Sequence, residues 1–294
     1  MDAARNVIID HTLHRCAVCG CKVIRPWFDT DFGKIGRCAS CGQVLRADQP
    51  RRDNQVTLHQ TSNLQDAPYG THAEAASHDL PFYATFLDLC EQKPGTRKLL
   101  DIGAGGGEFL KLGEARGFDV SGIEPIAEIR EMAERKLNGV RIEATPIEEA
   151  EYAPESLDAV AMWDVIEHFV DPRGTLARVH QILKPGGYIG VATLNHSSLM
   201  YIIFHIWRWT IPPLARKFSG KLYNPFHTYY FSKRSLARLI RQAGFEIVQH
   251  QGYEFPLSRL DVSSTMKSGM RLLYVLQGLT RMEGEQYVFA RKPV

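Results

Sequence analysis

Two cysteine pairs stand near the start of the chain, Cys16-Ala-Val-Cys19 and Cys38-Ala-Ser-Cys41, with eighteen residues between them. Two thiolates set two residues apart can grip one ion from a tight turn, and a second such turn completes a tetrahedron. Zn²⁺ favours four soft sulfur ligands, and this spacing is that of a zinc ribbon. Gly20 and Gly42 follow the second cysteine of each pair, where a knuckle calls for the left-handed backbone that glycine enters freely. Four thiolates leave no coordination position open, so Cys16, Cys19, Cys38 and Cys41 read as a structural metal site, with Cys21 as a spare thiol. Clustering of five of the six cysteines in the first 41 residues suits metal binding in a reducing compartment better than a disulfide framework.

A second constellation is Asp101-x-Gly103-x-Gly105-x-Gly107, directly after the apolar run Lys98–Ile102. Glycines at that spacing let the chain turn sharply and let a ligand lie against main chain. Glu124 closes the next apolar run, where a carboxylate can accept both hydroxyl hydrogens of a ribose. A solvated carboxylate at a helix start is the other reading of Glu124.

The third is Asp164-x-x-Glu167-His168, whose i, i+3, i+4 spacing predicts three polar groups on one helical face. Three roles fit: His168 as a general base with a pKa naturally near neutrality, a divalent-cation site, or a helix start with Asp164 as N-cap and Glu167 at N3. His196 and His227 are secondary base candidates.

These residues need a frame, and the hydrophobic pattern supplies one. Apolar runs at Lys98–Ile102, Phe118–Ile123, Val140–Ala144, Leu157–Trp163 and Tyr188–Leu194 alternate with helical patterns through Arg116, over Pro125–Leu137 and at about Thr175–Leu183. Such alternation implies parallel strands joined by right-handed crossovers, hence an α/β doubly wound sheet. Ligands of these sheets bind beyond the carboxyl ends of the strands, where the glycine turn and the Asp164–His168 constellation fall. A helix is expected at about Leu80–Gln92, with Phe82, Phe86, Leu87 and Cys90 as its apolar stripe. Short strands at Lys22–Ile24 and Lys34–Arg37 would make a hairpin between the cysteine pairs. The organisation expected is a zinc ribbon over 1–48, a polar linker over 49–79, and a catalytic domain over 80–294.

The order of motifs resembles the class I S-adenosylmethionine-dependent methyltransferases. Leu99-Leu-Asp-Ile-Gly-Ala-Gly-Gly-Gly-Glu108 looks like their first motif, and Gly122-Ile-Glu-Pro125 like the acidic element after their second strand. Leu157–His168 with Asp171-Pro172 resembles their fourth strand and its turn, and Leu183-Lys-Pro-Gly-Gly-Tyr-Ile-Gly-Val191 the entry to strand five. Tyr230-Phe-Ser232 and Ala243-Gly-Phe-Glu246 are similar to a later helix and the sixth strand. The resemblance implies a Rossmann-like seven-stranded sheet ordered 3-2-1-4-5-7-6, with strand seven antiparallel and carried by Glu285–Arg291. Gln251–Glu283 is then an insertion. It implies S-adenosylmethionine as cofactor, with Asp101, Gly103 and Gly105 along its methionine part, Glu124 at its ribose, and Gly107 and Pro125 among its other binding residues. Thr145, Pro146 and Ile147 would edge the adenine, and Trp163 and Asp164 would lie beside the sulfonium. Asp164-x-x-Glu167-His168 resembles the E-x-x-E-H of quinone-biosynthesis O-methyltransferases, which can hold a divalent cation; Asp for the first Glu shortens the reach.

The acceptor side falls to 195–231, which holds ten of the chain's aromatic residues, among them Tyr201, Trp209, Tyr223 and Tyr230. It can be a lid over an apolar acceptor, an interfacial helix at 199–211 touching a membrane surface, or buried packing. The expected acceptor is a small molecule such as a sugar, phenolic or natural-product intermediate, methylated on a hydroxyl, amine or carbon. The rival is rRNA or tRNA, since some RNA methyltransferases join a zinc module to this fold. A net charge of only +2 gives that rival no global electrostatic support. Polar residues at the N-terminus and the absence of a long apolar run lead us to expect a cytoplasmic protein.

Overall fold

The computed structural model describes residues 15–48, 81–92, 95, 97–137, 139–254, 257 and 264–294. The expected linker, 49–79, lies outside the described residues.

Seven strands form the main sheet: β4 (Lys98–Ile102), β5 (Asp119–Ile123), β6 (Arg141–Glu143), β7 (Leu157–Trp163), β8 (Leu183–Leu194), β10 (Glu246–Tyr253) and β11 (Glu285–Arg291). Their spatial order is β10-β11-β8-β7-β4-β5-β6. Numbered within the domain this is the expected 3-2-1-4-5-7-6, and β11 runs antiparallel to both β8 and β10. The central strands are apolar on both sides because helices cover both faces. In β7 all residues but Asp158 are buried.

One face is covered by α1 (Pro81–Glu91) and α2 (Glu108–Ala115). The stripe Phe82, Phe86, Leu87 and Cys90 is buried there against Leu99, Ala161 and Ala192, as its spacing predicts. Beyond β5, α3 (Ala127–Lys136) leads to β6. The other face is covered by α4 (Pro172–Ile182) and α7 (Lys233–Gln242), whose Leu176, Val179, Leu236 and Ile240 pack on Leu100, Val160 and Val191. Local chemistry starts both helices. Asp171 accepts from Gly174 N at 3.1 Å with Pro172 in the first turn, and Ser232 and Ser235 cap each other reciprocally.

The cysteine module is a hairpin of β1 (Ile24–Thr30) and β2 (Gly33–Cys38), followed by β3 (Val44–Arg46). The hairpin lies later than the expected Lys22–Ile24, its first strand running through Trp27 and Phe28 to a turn at Asp31–Phe32. β3 then pairs antiparallel with β9 (Tyr229–Tyr230), giving the four-stranded order β1-β2-β3-β9. The module is therefore completed by a strand from the far end of the chain. Arg173 of α4 adds to the seam by donating to the carbonyls of Ala17 (2.9 Å) and Val18 (3.1 Å).

The aromatic segment forms α5 (Leu199–Thr210), α6 (Pro212–Leu222) and β9. Tyr201, Phe204, Tyr223 and Tyr230 are buried against Ile35 and Val44 of the module, so much of this aromatic supply is packing. Trp209 is the exception, at 83% exposed. The insertion after β10 carries α8 (Ser264–Thr280). Among the described residues no helix is long and apolar enough to cross a membrane.

Candidate active site

Beyond β4 the chain turns through Gly103, Gly105 and Gly107, all left-handed at φ 78°, 53° and 81°. Their reasons for being glycine differ. A Cβ on Gly103 would stand 2.2 Å from Val165 Cγ2, and one on Gly107 would stand 2.8 Å from Leu137 Cδ1. A Cβ on Gly105 would meet nothing within 4 Å. The outer glycines serve packing, while Gly105 faces open space at the carboxyl edge of the sheet.

Glu124, just past β5, closes this loop from the other side. Its Oε2 accepts from Gly105 N and its Oε1 from Ile126 N, both at 3.0 Å. Each carboxylate oxygen keeps a second lone pair, so a ribose diol can still be bound. Burial raises the Glu124 pKa and the two amides oppose that rise. Asp101 is 2% exposed, and its Oδ1 has no hydrogen-bond partner among the described residues. Burial first, then the charges of Glu124 and Glu108, push its pKa well up. An orphaned buried carboxyl beside an open glycine cradle fits a ligand carrying an ammonium group and a ribose, as S-adenosylmethionine does.

The remaining expected cofactor contacts are placed unevenly. Pro125 follows Glu124 at the edge, and Thr145 lies exposed beyond β6 with Pro146 half-buried beside it. Ile147, by contrast, is spent in the core. Trp163 puts its ring among Phe82, Tyr83, Phe86 and Phe109, at centroid distances of 5.1 to 5.5 Å. What it offers at the strand end is backbone.

The segment after β7 is not the helix its spacing predicts. Asp164 is left-handed at φ 54°, and Ile166–His168 form a turn. The helix begins only at Pro172 with Asp171 as its cap, which removes the capping-box reading of Asp164 and Glu167. The turn instead brings Glu167 and His168 to 226–229. The Glu167 carbonyl accepts from Thr228 N (2.8 Å) and Tyr229 N (3.0 Å), and His168 Nδ1 pairs with the Phe226 carbonyl at 3.0 Å. His168 and His227 then face each other at 4.8 Å between ring centroids. Ligand atoms of Glu167, His168 and His227 all lie within 4.8 Å of one another, and Asp164 stands outside that set.

Electrostatics redistribute the expected roles. Burial pulls the His168 pKa down to about 4, so it is neutral rather than poised near neutrality. Burial pushes both Asp164 and Glu167 up to about 7, with the repulsion of Glu167 a second cause at Asp164. Glu285, at the start of β11, is raised further by burial and by Asp164, Glu167 and Glu254. Nothing in the sequence marked Glu285, Tyr253 or Glu254; only the antiparallel register Tyr253↔Glu285 carries them to the same edge. His196 bonds Tyr223 Oη at 2.9 Å in the seam with the module, apart from the Glu167 cluster.

Cys16, Cys19, Cys38 and Cys41 have sulfurs that all lie within 4.8 Å of one another, with Cys16–Cys41 at 3.5 Å and Cys19–Cys38 at 3.4 Å. A Zn–S tetrahedron needs about 3.8 Å between sulfurs. Gly20 and Gly42 are both left-handed at φ 74°, as the knuckles require. The cluster is compatible with a zinc ribbon; Cys21 lies outside it, its sulfur paired with the backbone of Val23. A cavity of about 560 Å³ between Lys98, Asp119 and Leu157 is at the amino ends of the strands, the wrong edge for the chemistry above.

Residues 72–250, more than half of the chain, match a family model described as a methyltransferase domain. A ubiquinone biosynthesis O-methyltransferase of Saccharophagus degradans is 31% identical over 185 residues, 60% of this chain and 75% of that one. Its Burkholderia pseudomallei counterpart is 28% identical over 62% of this chain and 79% of that one. Among solved structures, a chain of the Haloferax volcanii Trm112 activator–methyltransferase complex matches with TM-score 0.54 at 17% identity, covering 79% of this chain and 96% of that one. Haemonchus contortus phosphoethanolamine N-methyltransferase 2, solved with S-adenosyl-L-methionine, matches with TM-score 0.56 at 15% identity, covering 92% and 71%. Those two share the fold. Motif order, sheet topology, the Asp101–Glu124 cradle and the matched domain lead to one assignment: the chain belongs to the class I S-adenosylmethionine-dependent methyltransferases.

Proposed function

We propose that this enzyme methylates a hydroxyl of a small-molecule acceptor held over Glu167, His168 and His227, with a structural zinc ion in the four-cysteine site. The observation that carries the reading is the meeting of the Glu167–His168 turn with His227 at the same sheet edge as the Gly105 cradle. The names of the O-methyltransferase relatives point the same way. S-adenosylmethionine, when bound, supplies a methyl group activated by positive sulfur, so alignment and water exclusion do much of the work. Asp101, Gly103 and Gly105 would hold its amino-acid part, Glu124 its ribose, and Thr145 and Pro146 the edge of its base. The Asp164–Glu167 pair takes the acceptor's proton, being half ionised near neutrality. His168 donates Nδ1–H to Phe226 O, which leaves Nε2 as the accepting nitrogen of that tautomer and orients the hydroxyl. The Glu167–His168–His227 set is also the place where a divalent cation would polarise the hydroxyl. Four thiols held as metal ligands suit the cytoplasm, and α5 and α8 offer apolar faces for peripheral contact with a membrane carrying a lipid-linked acceptor.

The test is formation of S-adenosylhomocysteine by the zinc-loaded chain across phenolic, sugar and amine acceptors. Phenolic or sugar hydroxyls should be methylated. Glu167→Gln should lower kcat by about a hundredfold or more with S-adenosylhomocysteine affinity unchanged. Turnover on amines alone, or full turnover by Glu167→Gln, would overturn the reading.

A further inference from the structure

A cavity of about 360 Å³ lies in the seam between the cysteine module and the methyltransferase domain, and no step described so far uses it. Its walls include Arg37 and Gln43 from the module and Ser232, Arg234, Ser235 and Arg238 from the start of α7. We infer that it binds the phosphate group of a small, hydroxyl-bearing phosphate ester.

The charge is one-sided. Among the described residues, three guanidiniums line the space and no carboxylate does. None of Arg37, Arg234 and Arg238 makes an ion pair with an acidic side chain among the described residues. Even with a negatively charged zinc tetrathiolate at the Cys41 wall, the guanidiniums leave the cavity positive. Arg37 is held by its place over the Trp27 ring, 4.7 Å from the centroid. The helix adds directed donors. In α7, ten residues long, Ser232 Oγ takes the Ser235 amide, while the amides of Lys233 and Arg234 at the first two positions have no intrahelical acceptor. A helix start with arginines beside it is an anion site in both charge and geometry.

Gln43 is the independent observation, and it says what surrounds the anion. It is 3% exposed, and its Nε2 donates to the carbonyls of Val44 (2.6 Å) and Tyr230 (3.0 Å). Those two bonds fix the amide of this cavity-lining residue and leave its Oε1 buried with no partner among the described residues. An orphaned buried acceptor needs a donor. A ligand with a hydroxyl near its phosphate satisfies it; inorganic phosphate as a dianion does so poorly. The volume lies at the small end of ligand pockets, enough for a phosphate and a compact hydroxylated body. Tyr230, on another wall, has its ring 5.8 Å from that of His227, so the site is one ring away from the Glu167 cluster and separate from the Gly105 cradle.

The experiment is calorimetric titration of the zinc-loaded full chain with inorganic phosphate, glucose 1-phosphate and a short RNA. Both phosphates should bind saturably, the sugar phosphate about tenfold tighter because it supplies Gln43 with a donor. The double variant Arg234→Gln/Arg238→Gln should weaken both by about tenfold or more, with S-adenosylhomocysteine binding unchanged as the proof of folding. Gln43→Leu should erase the advantage of the sugar phosphate over phosphate. No saturable binding by protein that binds S-adenosylhomocysteine, equal binding by the arginine variant, or binding of RNA alone would each overturn the assignment.

Discussion

Asp164, half-buried, and Glu167, buried, are raised by desolvation with no cation opposing it among the described residues, so each holds its proton to about pH 7 while His168 loses its own near pH 4. The group that changes charge in the physiological range is thus the carboxyl pair, though the sequence favours the imidazole. That preference follows from reference pKa values, which are right only for solvated groups; burial acts oppositely on acids and on histidine. Two measurable consequences follow from one shift. Turnover should rise with pH through about 7 as the pair ionises, and Glu167→Gln should remove that limb while His168→Ala leaves its position unchanged. Stability should run the other way. A carboxyl pKa raised on folding means the folded state binds the proton more tightly, so its stabilisation is complete below the unfolded values near 4 and is lost as pH rises through 7. The melting temperature of the cofactor-free protein should therefore fall between about pH 7 and pH 8, above the range near 6.5 where the depressed His168, His196 and His205 oppose the trend, and the fall should be shallower in Glu167→Gln. A melting temperature that climbs over that range would show the pair to be ionised and compensated.

Among the elements, those with a strong period were legible and those made by distant pairing were not. β7 and α5 fall on the expected residues, Leu157–Trp163 and Leu199–Thr210, because a continuous apolar run and a 3.6-residue stripe are local signals. The pairing of β3 with β9 joins three residues to two across most of the chain, and neither piece has a period to read. Asp164–His168 misleads for the opposite reason: its helical spacing is real, but a left-handed Asp164 takes the chain off the helix path. The β3–β9 junction also gives the cysteine site a consequence at a distance. Val44 and Leu45 hold Tyr230 and Tyr229, which directly follow His227 and Thr228. Metal lost from the four thiols should loosen β3 and, with it, the segment that faces Glu167 and His168. We predict about one zinc per chain. Chelation, or Cys16→Ser with Cys38→Ser, should lower the melting temperature by roughly 10 °C or more and turnover with it, since structural zinc carries folding free energy. A metal-free chain that melts and turns over like the untreated protein would separate the module from the site.

On the scale of the whole molecule a near-neutral charge of +2 conceals strong segregation. α8 shows Leu272, Val275, Leu276 and Leu279 to solvent, an i, i+3, i+4, i+7 stripe with Leu279 78% exposed. α5 shows Ile202, Ile206 and Trp209. The two helices meet where Leu199 N donates to the Met282 carbonyl at 3.0 Å, and they join the strand ends that carry the site, β8 into α5 and α8 into β11. Exposed Arg216, Lys217, Arg271 and Arg281 accompany these faces. Apolar stripes with a tryptophan and flanking basic residues, on helices unable to span a bilayer, have the chemistry of contact with an anionic lipid surface. The enzyme should therefore float with vesicles containing phosphatidylglycerol and not with purely zwitterionic ones. A single-tryptophan variant retaining Trp209 should shift its emission to the blue on binding. Leu276→Asp/Leu279→Asp and Trp209→Ser should each weaken flotation by about tenfold, while turnover on a water-soluble acceptor stays as it was. Sedimentation decides the alternative: a dimer that Leu276→Asp/Leu279→Asp dissociates, with no flotation in either form, would assign the stripe to a second copy of the chain and leave no lipid-facing surface on α8.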